Sequence, residues 1–409
     1  TSATSIDQAE NRKRFSSLLK ELKIDQPEWE AVTSYSQAKK FAEKVGYPVL
    51  IRPSYVLSGA AMSIVLSVDE LEQFLKKASD ISSEHPVVIT KFITDAREIE
   101  VDAVADHGEL FAYAISEHVE NAGVHSGDAT IVLPPQRLYL ETMRRIKMIT
   151  KKIAKALEIT GPFNMQFIAK DNEVKVIECN LRASRSFPFV SKVLKQNFID
   201  IATQLMIGEK PHRIDKSSFD LDYVGVKAPQ FSFTRLKGSD PVLGVEMSST
   251  GEVACLGDDF NEAFLKSVLS IGFKIPKKGV LLSTGPLQKK AEFLEEMKML
   301  QKLGIDFYGT GGTFRFYKEN NFEIIKLNRP SKNEEPNILT YMEEGKIDLV
   351  INIPKNNDKD ELDSDYDIRR KALDLNIPLI TNIQVAKRFV KAMFYSNDKL
   401  QIKSWSEYK

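Results

Sequence analysis

Asn164, Gln166, Glu178 and Asn180 fall on two runs of alternating polarity, 164–170 and 174–180, parted by Asp171-Asn172-Glu173. That pattern predicts a hairpin with its turn centred near Asn172. Pairing symmetric about Asn172 sets Gln166 opposite Glu178, Asn164 opposite Asn180, Met165 opposite Cys179 and Phe167 opposite Ile177. One face is then oily, and the other ends in amides and a carboxylate. If the backbone stays extended, Arg182 joins the face of Glu178 and Asn180. Carboxylate and amide oxygens suit Mg2+ or Mn2+ holding nucleotide phosphates. They also suit an ordinary polar sheet end, and a one-residue slip would exchange the two faces.

Two other stretches could serve the same chemistry. Arg52-Pro53-Ser54-Tyr55 follows the apolar run 49–51, and Ser58-Gly59-Ala60-Ala61 has side chains small enough for backbone amides to approach phosphate. Residues 117–128 form a polar segment with His118, His125 and two glycines, Gly123 and Gly127. The histidines suit metal binding, acid–base work, nucleotide contact or plain structural hydrogen bonding. The chain has no Gly-x-x-x-x-Gly-Lys-Ser/Thr loop, and Gly309-Thr310-Gly311-Gly312 lacks the spaced third glycine of a dinucleotide fingerprint. A mononucleotide site built from hairpin and arginines remains.

The elements that must position these residues read as alternating helix and strand. A helical pattern through Ala38, Phe41, Ala42 and Val45 stops at Gly46 and Pro48 before the strand 49–51. A long amphipathic helix is expected over 138–158, with Ile146, Ile149, Ile153 and Leu157 on one side. Pro276, Gly279 and three lysines interrupt the pattern at 273–279, which places a domain boundary between 276 and 277. Beyond it come a strand at 280–282, a helix over 287–303 ending at Gly304, a strand into Gly309-Thr310, and strands at 322–327, 347–353 and 377–381. Such alternation predicts a doubly wound parallel α/β sheet whose ligands lie outside the carboxyl ends of its strands. The Asp-, Asn- and Lys-rich segment 355–367 reads as a loop.

With 409 residues the chain is too long for one ordinary core, and 57 basic against 57 acidic residues exclude a global field for nucleic acid or anionic lipid. The two cysteines, Cys179 and Cys255, make no disulfide or metal framework, which fits a reducing compartment. No apolar run of about 18 residues suggests a membrane span, and the start Thr1-Ser2-Ala3-Thr4 reads as a cut from a longer chain.

The stretches 9–12, 52–59, 120–128 and 177–189 resemble the second ATP-grasp unit of carbamoyl phosphate synthetase large chains of the eukaryotic type, and the chain after 277 resembles their methylglyoxal-synthase-like regulatory domain. The resemblance implies an ATP-grasp domain over 1–276 and an effector domain over 277–409. It implies ATP-dependent phosphorylation of carbamate to carbamoyl phosphate. Gln166, Glu178 and Asn180 match the family's metal positions for Mg2+ or Mn2+. Arg14, Arg52, Lys91, Ile93, Glu98, Gly123, Val124, His125 and Ser126 match ATP contacts, together with Gln166 and Glu178. Arg182 and Arg185 match the arginines beside the transferred phosphoryl group, and the small residues 58–61 are a plausible part of a lid. Thr310, Thr313 and Asn352 match the effector pocket, with Lys289 or Lys290 in reach of an anion. Arg329, Lys355 and Asp365 fall where acetylglutamate-activated relatives carry tryptophan and asparagines, which favours a phosphorylated effector such as a uridine nucleotide or phosphoribosyl pyrophosphate. The implied partners are the remaining synthetase domains and a glutamine amidotransferase, in the cytoplasm or mitochondrial matrix. The alternatives are a binding and regulatory module inactive without those domains, or another ATP-grasp ligase such as a biotin carboxylase relative.

Overall fold

The computed structural model describes residues 1–53, 59–81, 87–212, 218–332, 334–354, 359–396 and 400–409, except the side chains of 80, 81 and 359–362. It divides into two compact units, 1–225 with 244–248 and Lys409, and 226–243 with 249–408.

The first unit opens with helices α1 (Ala3–Glu10) and α2 (Arg12–Glu21), the second capped by the Asn11 side chain on the Arg14 amide. A four-stranded antiparallel sheet follows from β1 (Trp29–Val32), α3 (Tyr35–Val45), β2 (Val49–Arg52), β3 (Ser63–Val65), α4 (Val68–Ile81) and β4 (Val87–Lys91), in the order β1-β4-β2-β3. Its core is the predicted stripe of α3, Ala38, Phe41 and Ala42, packed with Leu71 and Leu75 of α4 and with Val49, Ile51 and Ile89 of the sheet.

The second sheet of this unit carries the polar residues of interest. It runs through β5 (Arg97–Asp106), β6 (Glu109–Asn121), β7 (Ile131–Leu133), α5 (Leu140–Ala156), β8 (Gly161–Lys170) and β9 (Glu173–Asn180), with antiparallel order β7-β6-β5-β8-β9. One face is apolar: Ile99, Val101 and Ala103 of β5, Phe163, Met165 and Phe167 of β8, and Val174, Val176 and Cys179 of β9 pack on α2 and on Ile146, Ile153 and Ala154 of α5. Alternation then directs Glu98, Glu100 and Asp102, Asn164 and Gln166, and Glu178 and Asn180 to the opposite face. Helices α6 (Phe187–Leu194) and α7 (Phe198–Met206) follow.

The hairpin turn is Asp171-Asn172, both at positive φ, as a two-residue turn of the hairpin type requires. Next to it the pairs are Lys170 with Glu173 and Ala169 with Val174; farther out they are Gln166 with Glu178, Met165 with Cys179 and Asn164 with Asn180. The outer pairs agree with the symmetric register. Phe167, however, pairs with Val176 rather than Ile177, because a bulge between Gln166 and Phe167 takes up one extra residue on β9. That bulge turns Cys179 into the core and Glu178 away from it.

The second unit contains β10 (Val224–Gln230, whose first two residues close the first unit), β11 (Gly251–Gly257) and α8 (Phe260–Ser270). A parallel five-stranded sheet then forms from β12 (Gly279–Ser283), α9 (Leu287–Glu292), α10 (Leu294–Lys302), β13 (Asp306–Thr310), α11 (Gly311–Glu319), β14 (Ile325–Leu327), α12 (Ile338–Glu343), β15 (Leu349–Asn352), α13 (Lys359–Asp374), β16 (Leu379–Ile380) and α14 (Ile383–Ser396). Its order, β14-β13-β12-β15-β16, reverses direction between β12 and β15 and is doubly wound. The expected helix over 287–303 is two helices that part at Phe293. The loop expected over 355–367 is corrected: 355–358 lie outside the described residues, and 359–367 belong to α13. Ser364, Asp365, Ile368, Arg369 and Ala372 recur at helical spacing and are all buried, so a core-facing stripe lies hidden in a polar composition. Among the described residues no helix is long and apolar enough to cross a membrane.

Candidate active site

Glu178, near the end of β9, lies beside two groups that hold its charge. Arg12 NH2 donates to Oε2 at 2.5 Å, and Asn180 Nδ2 donates to Oε1 at 3.0 Å. Burial pushes this carboxyl up, but Arg12, Asn180 and the nearby Arg52 outweigh it and hold it at about 2. Gln166, paired with Glu178 across the ladder, spends its NH2 on Ser126 Oγ at 3.1 Å, so its amide oxygen is the atom it could offer to a cation. Asn180 likewise spends its NH2 on Glu178. The three side chains thus offer oxygens of the kind hard cations take. Among the described residues no three His, Cys, Asp or Glu side chains are grouped to hold a metal, so amides must complete any such set.

Arg52, at the end of β2, is 6% exposed. NH2 donates to Thr90 Oγ1 at 3.1 Å, while Nε and NH1 have no partner among the described residues. Burial, with Arg12 adding to it, lowers this guanidinium to about 9. A buried cation with two open donors calls for an anion.

Residues 123–128 come to the same sheet face. The backbone amide of Gly123 donates to Glu98, whose carboxyl burial pushes up to about 7, His118 pulling it back. Val124 is buried; His125 is half-buried, and its Nδ1 accepts from the Gly127 amide at 3.0 Å. Burial pushes His125 down, with Glu178 opposing, so a neutral ring carrying its proton on Nε2 fits this setting. His118 is fully buried, with Nε2 on Glu100 Oε1 at 3.0 Å.

The remaining positions are more scattered. Lys91 Nζ donates to the carbonyls of Gly46 and Tyr47 at 2.8 and 3.2 Å. Ile93 lines a cavity of about 180 Å³ with Ala96, Ile168, Lys170 and Lys175. Arg14 is exposed and ion-paired with Asp7, away from Glu178, whereas Arg12 holds the position at the carboxylate. Arg182 and Arg185 are exposed on the irregular stretch after β9, Arg185 NH1 lying 3.0 Å from Met247 Sδ. Ser54 to Ser58 lie outside the described residues; Gly59, at φ +70°, packs so tightly on Val245 that an added Cβ would meet its carbonyl oxygen at 2.1 Å.

In the second unit, Thr310 ends β13 and is the N-cap of α11 with no side-chain capping bond, while Ser283 and Asn352 pair at the ends of β12 and β15. These strand ends flank the reversal of strand order, where ligands of such sheets bind. Thr310, Thr313 and Asn352 are buried. Asn352 Oδ1 accepts from Arg369 at 3.0 Å, and Asp365 accepts from Asn352 Nδ2 at 3.4 Å. Lys290 is buried with Nζ on the Gly285 carbonyl at 2.5 Å; Lys289 pairs with Glu292 at 3.1 Å. Lys355 lies outside the described residues. Sequence reasoning missed Arg12 as the partner of Glu178, and missed Glu100 and Asp102, which are buried beside Glu98 on the same face of β5.

The chain has an ATP-grasp fold: over 64% of its length and 66% of the other it resembles a biotin carboxylase from Campylobacter jejuni solved as a β,γ-ATP complex, with TM-score 0.53 and 18% identity. Residues 11–213 match the carbamoyl-phosphate synthase L chain ATP binding domain, and 292–381 match the MGS-like domain. The chain is 53% identical over 405 residues to multifunctional protein pyr1-3 of Dictyostelium discoideum, covering 98% of this chain and 18% of that protein. It is 49% identical over 419 residues to the human mitochondrial carbamoyl-phosphate synthase [ammonia], covering all of this chain and 28% of that protein. The chain belongs to the family of carbamoyl-phosphate synthase large chains and corresponds to their C-terminal region. It spans less than a fifth of the first of these relatives.

Proposed function

We propose that this chain transfers the γ-phosphoryl group of ATP to carbamate, giving ADP and carbamoyl phosphate, and that its C-terminal part binds a small anionic effector. The observation that carries the reading is Glu178: a carboxylate held ionised at a strand end, beside two amide oxygen donors and a buried arginine, two of whose donors have no partner among the described residues. Glu178, Gln166 and Asn180 would hold Mg2+ or Mn2+, which when bound neutralises charge on the phosphates. Arg52, Arg14, Lys91, Ile93, Glu98 and the 123–126 segment bind the nucleotide. Arg182 and Arg185 face the transferred group and offset the charge that develops on it. A carbamate oxygen forms the new bond to phosphorus as the bond to ADP breaks, so the chain needs to supply alignment and charge rather than a nucleophile.

The division of labour is 1–276 for phosphoryl transfer and 277–409 for the effector, with Lys289, Lys290, Thr310, Thr313 and Asn352 in its pocket. The partners are the other synthetase domains and a glutamine amidotransferase. The compartment is cytoplasm or mitochondrial matrix, the frog and human relatives bearing mitochondrial in their names.

The test is the reverse reaction. Carbamoyl phosphate and MgADP should yield ATP, and Glu178→Ala should abolish it; ATP formation unchanged in the variant overturns the assignment. The chain spans 18% of the Dictyostelium relative, and one other reading is a binding module that transfers no phosphoryl group without other synthetase domains. ATP binding by calorimetry with no phosphoryl transfer would select it.

A further inference from the structure

Arg182 and Arg185 lie between β9 and α6, where no strand or helix fixes the backbone. The bonds that hold this stretch come from beneath it. Ser184 and Ser186, on either side of Arg185, both donate to Asp102: Ser184 Oγ to Oδ1 and Ser186 Oγ to Oδ2, each at 2.6 Å. Asn164 Nδ2 adds a third bond to Oδ1 at 2.8 Å. Asp102 is fully buried on β5, and the β5–β8 ladder sets it directly opposite Asn164, so the sheet itself fixes the carboxylate. Ser186 also approaches Glu100 Oε2 at 3.1 Å, and the two serine hydroxyls lie 2.7 Å apart. A buried carboxylate must find donors, and short bonds to it are the strong kind. Two of its three donors come from the arginine-bearing stretch, and they reach it only when that stretch occupies one place.

We propose that Asp102 is a positioning residue for phosphoryl transfer: by clamping Ser184 and Ser186 it holds Arg185, which lies between them, where the transferred group must pass. The clamp's catalytic meaning rests on the function proposed above; the clamp itself does not. A phosphoryl-transfer site gains little from an arginine that must be ordered at each turnover, because misplacement by about 1 Å costs on the order of 100-fold in rate.

The experiment uses the full chain with Asp102→Asn, with Ser184→Ala/Ser186→Ala, and with each combined with Arg185→Ala. Asparagine keeps the shape but turns an acceptor into a donor facing other donors. Should Asp102→Asn fail to fold, the serine pair, which only removes two hydroxyls, carries the test. Amide hydrogen exchange read by mass spectrometry on peptides covering 181–186 should quicken at least about 10-fold, with α14 unchanged. In the reverse reaction kcat should fall about 10- to 100-fold with KM for MgADP within about twofold, and neither change should lower kcat further once Arg185 is Ala. Unchanged exchange over 181–186 refutes the clamp whatever the activity. Quickened exchange with kcat losses that multiply those of Arg185→Ala refutes action through Arg185. Wild-type chain that makes no ATP, or Glu178→Ala that still does, removes the proposed function while leaving the exchange result to decide the clamp.

Discussion

Replacing Arg12 by Met would remove the guanidinium that meets Glu178 at 2.5 Å while keeping most of its volume. Both side chains are mostly covered, at 15% and 18% exposure, so the pair is poorly screened. A carboxyl held at about 2 against an ordinary 4.5 corresponds to about 3 kcal/mol of stability at neutral pH. Burial opposes that sum, Arg12 is the largest favourable contributor, and Asn180 and Arg52 keep a share when it is gone. Loss of Arg12 should therefore cost about 2 kcal/mol, or about 4–8 °C in the melting of a unit of roughly 200 residues. The sign with pH follows from the depressed value: the contribution is present above pH 4.5 and lost as pH falls from there towards 2. Thermal unfolding by circular dichroism at pH 7 and pH 3 reads both. A variant within 1 °C of the wild type at pH 7, or a gap that fails to narrow in acid, would refute the reasoning.

One further substitution and one labelling experiment probe other parts of the chain. Arg52→Met should raise the stability of the nucleotide-free chain by about 1–2 kcal/mol, since a buried cation with two open donors is removed, and should weaken ATP binding at least about 10-fold. Melting and calorimetry check the two halves, and a destabilised variant with normal ATP affinity would count against an anion site at Arg52. Iodoacetamide at pH 8 should modify Cys255, which is half-exposed, and spare Cys179, which is 2% exposed and whose thiol burial pushes well up. Mass spectrometry should find one modified cysteine in the native chain and two after denaturation.

The pairing of Gln166 with Glu178 was legible because alternation and a turn suffice to place it, and the structure shows how narrowly. A two-residue turn alone sets pairs such as Lys170 with Glu173 one residue away from the symmetric register, and the bulge on β9 restores it farther out. A turn motif and a bulge are separate features, and only the first is written locally in the sequence. Arg12 was beyond reach for another reason. Its partner lies 166 residues along the chain, and nothing within α2 distinguishes it from Arg14 except phase. Asn11 starts the helix so that Arg12, Phe15 and Leu19 share one side, and that side meets the sheet.

In the second unit strand positions followed from apolar runs, but strand order did not, because order depends on which crossover goes to which side of β12. In the first unit local rules point away from the truth along β5. Glu98, Glu100 and Asp102 alternate with Ile99 and Val101 and read as a solvated face, yet all three acids are buried. Their burial is stable because donors arrive from elsewhere: the Gly123 amide at Glu98, His118 at Glu100, and Asn164, Ser184 and Ser186 at Asp102. These donors come from β6, the loop after it, β8 and the stretch between β9 and α6, and several of those segments carry residues assigned above to nucleotide or phosphoryl contact. A strand that buries three acids would destabilise the chain unless those segments close over it in one arrangement. The same acids that make the sheet costly to bury therefore act as its template, and the break with local patterning falls where the chemistry is placed.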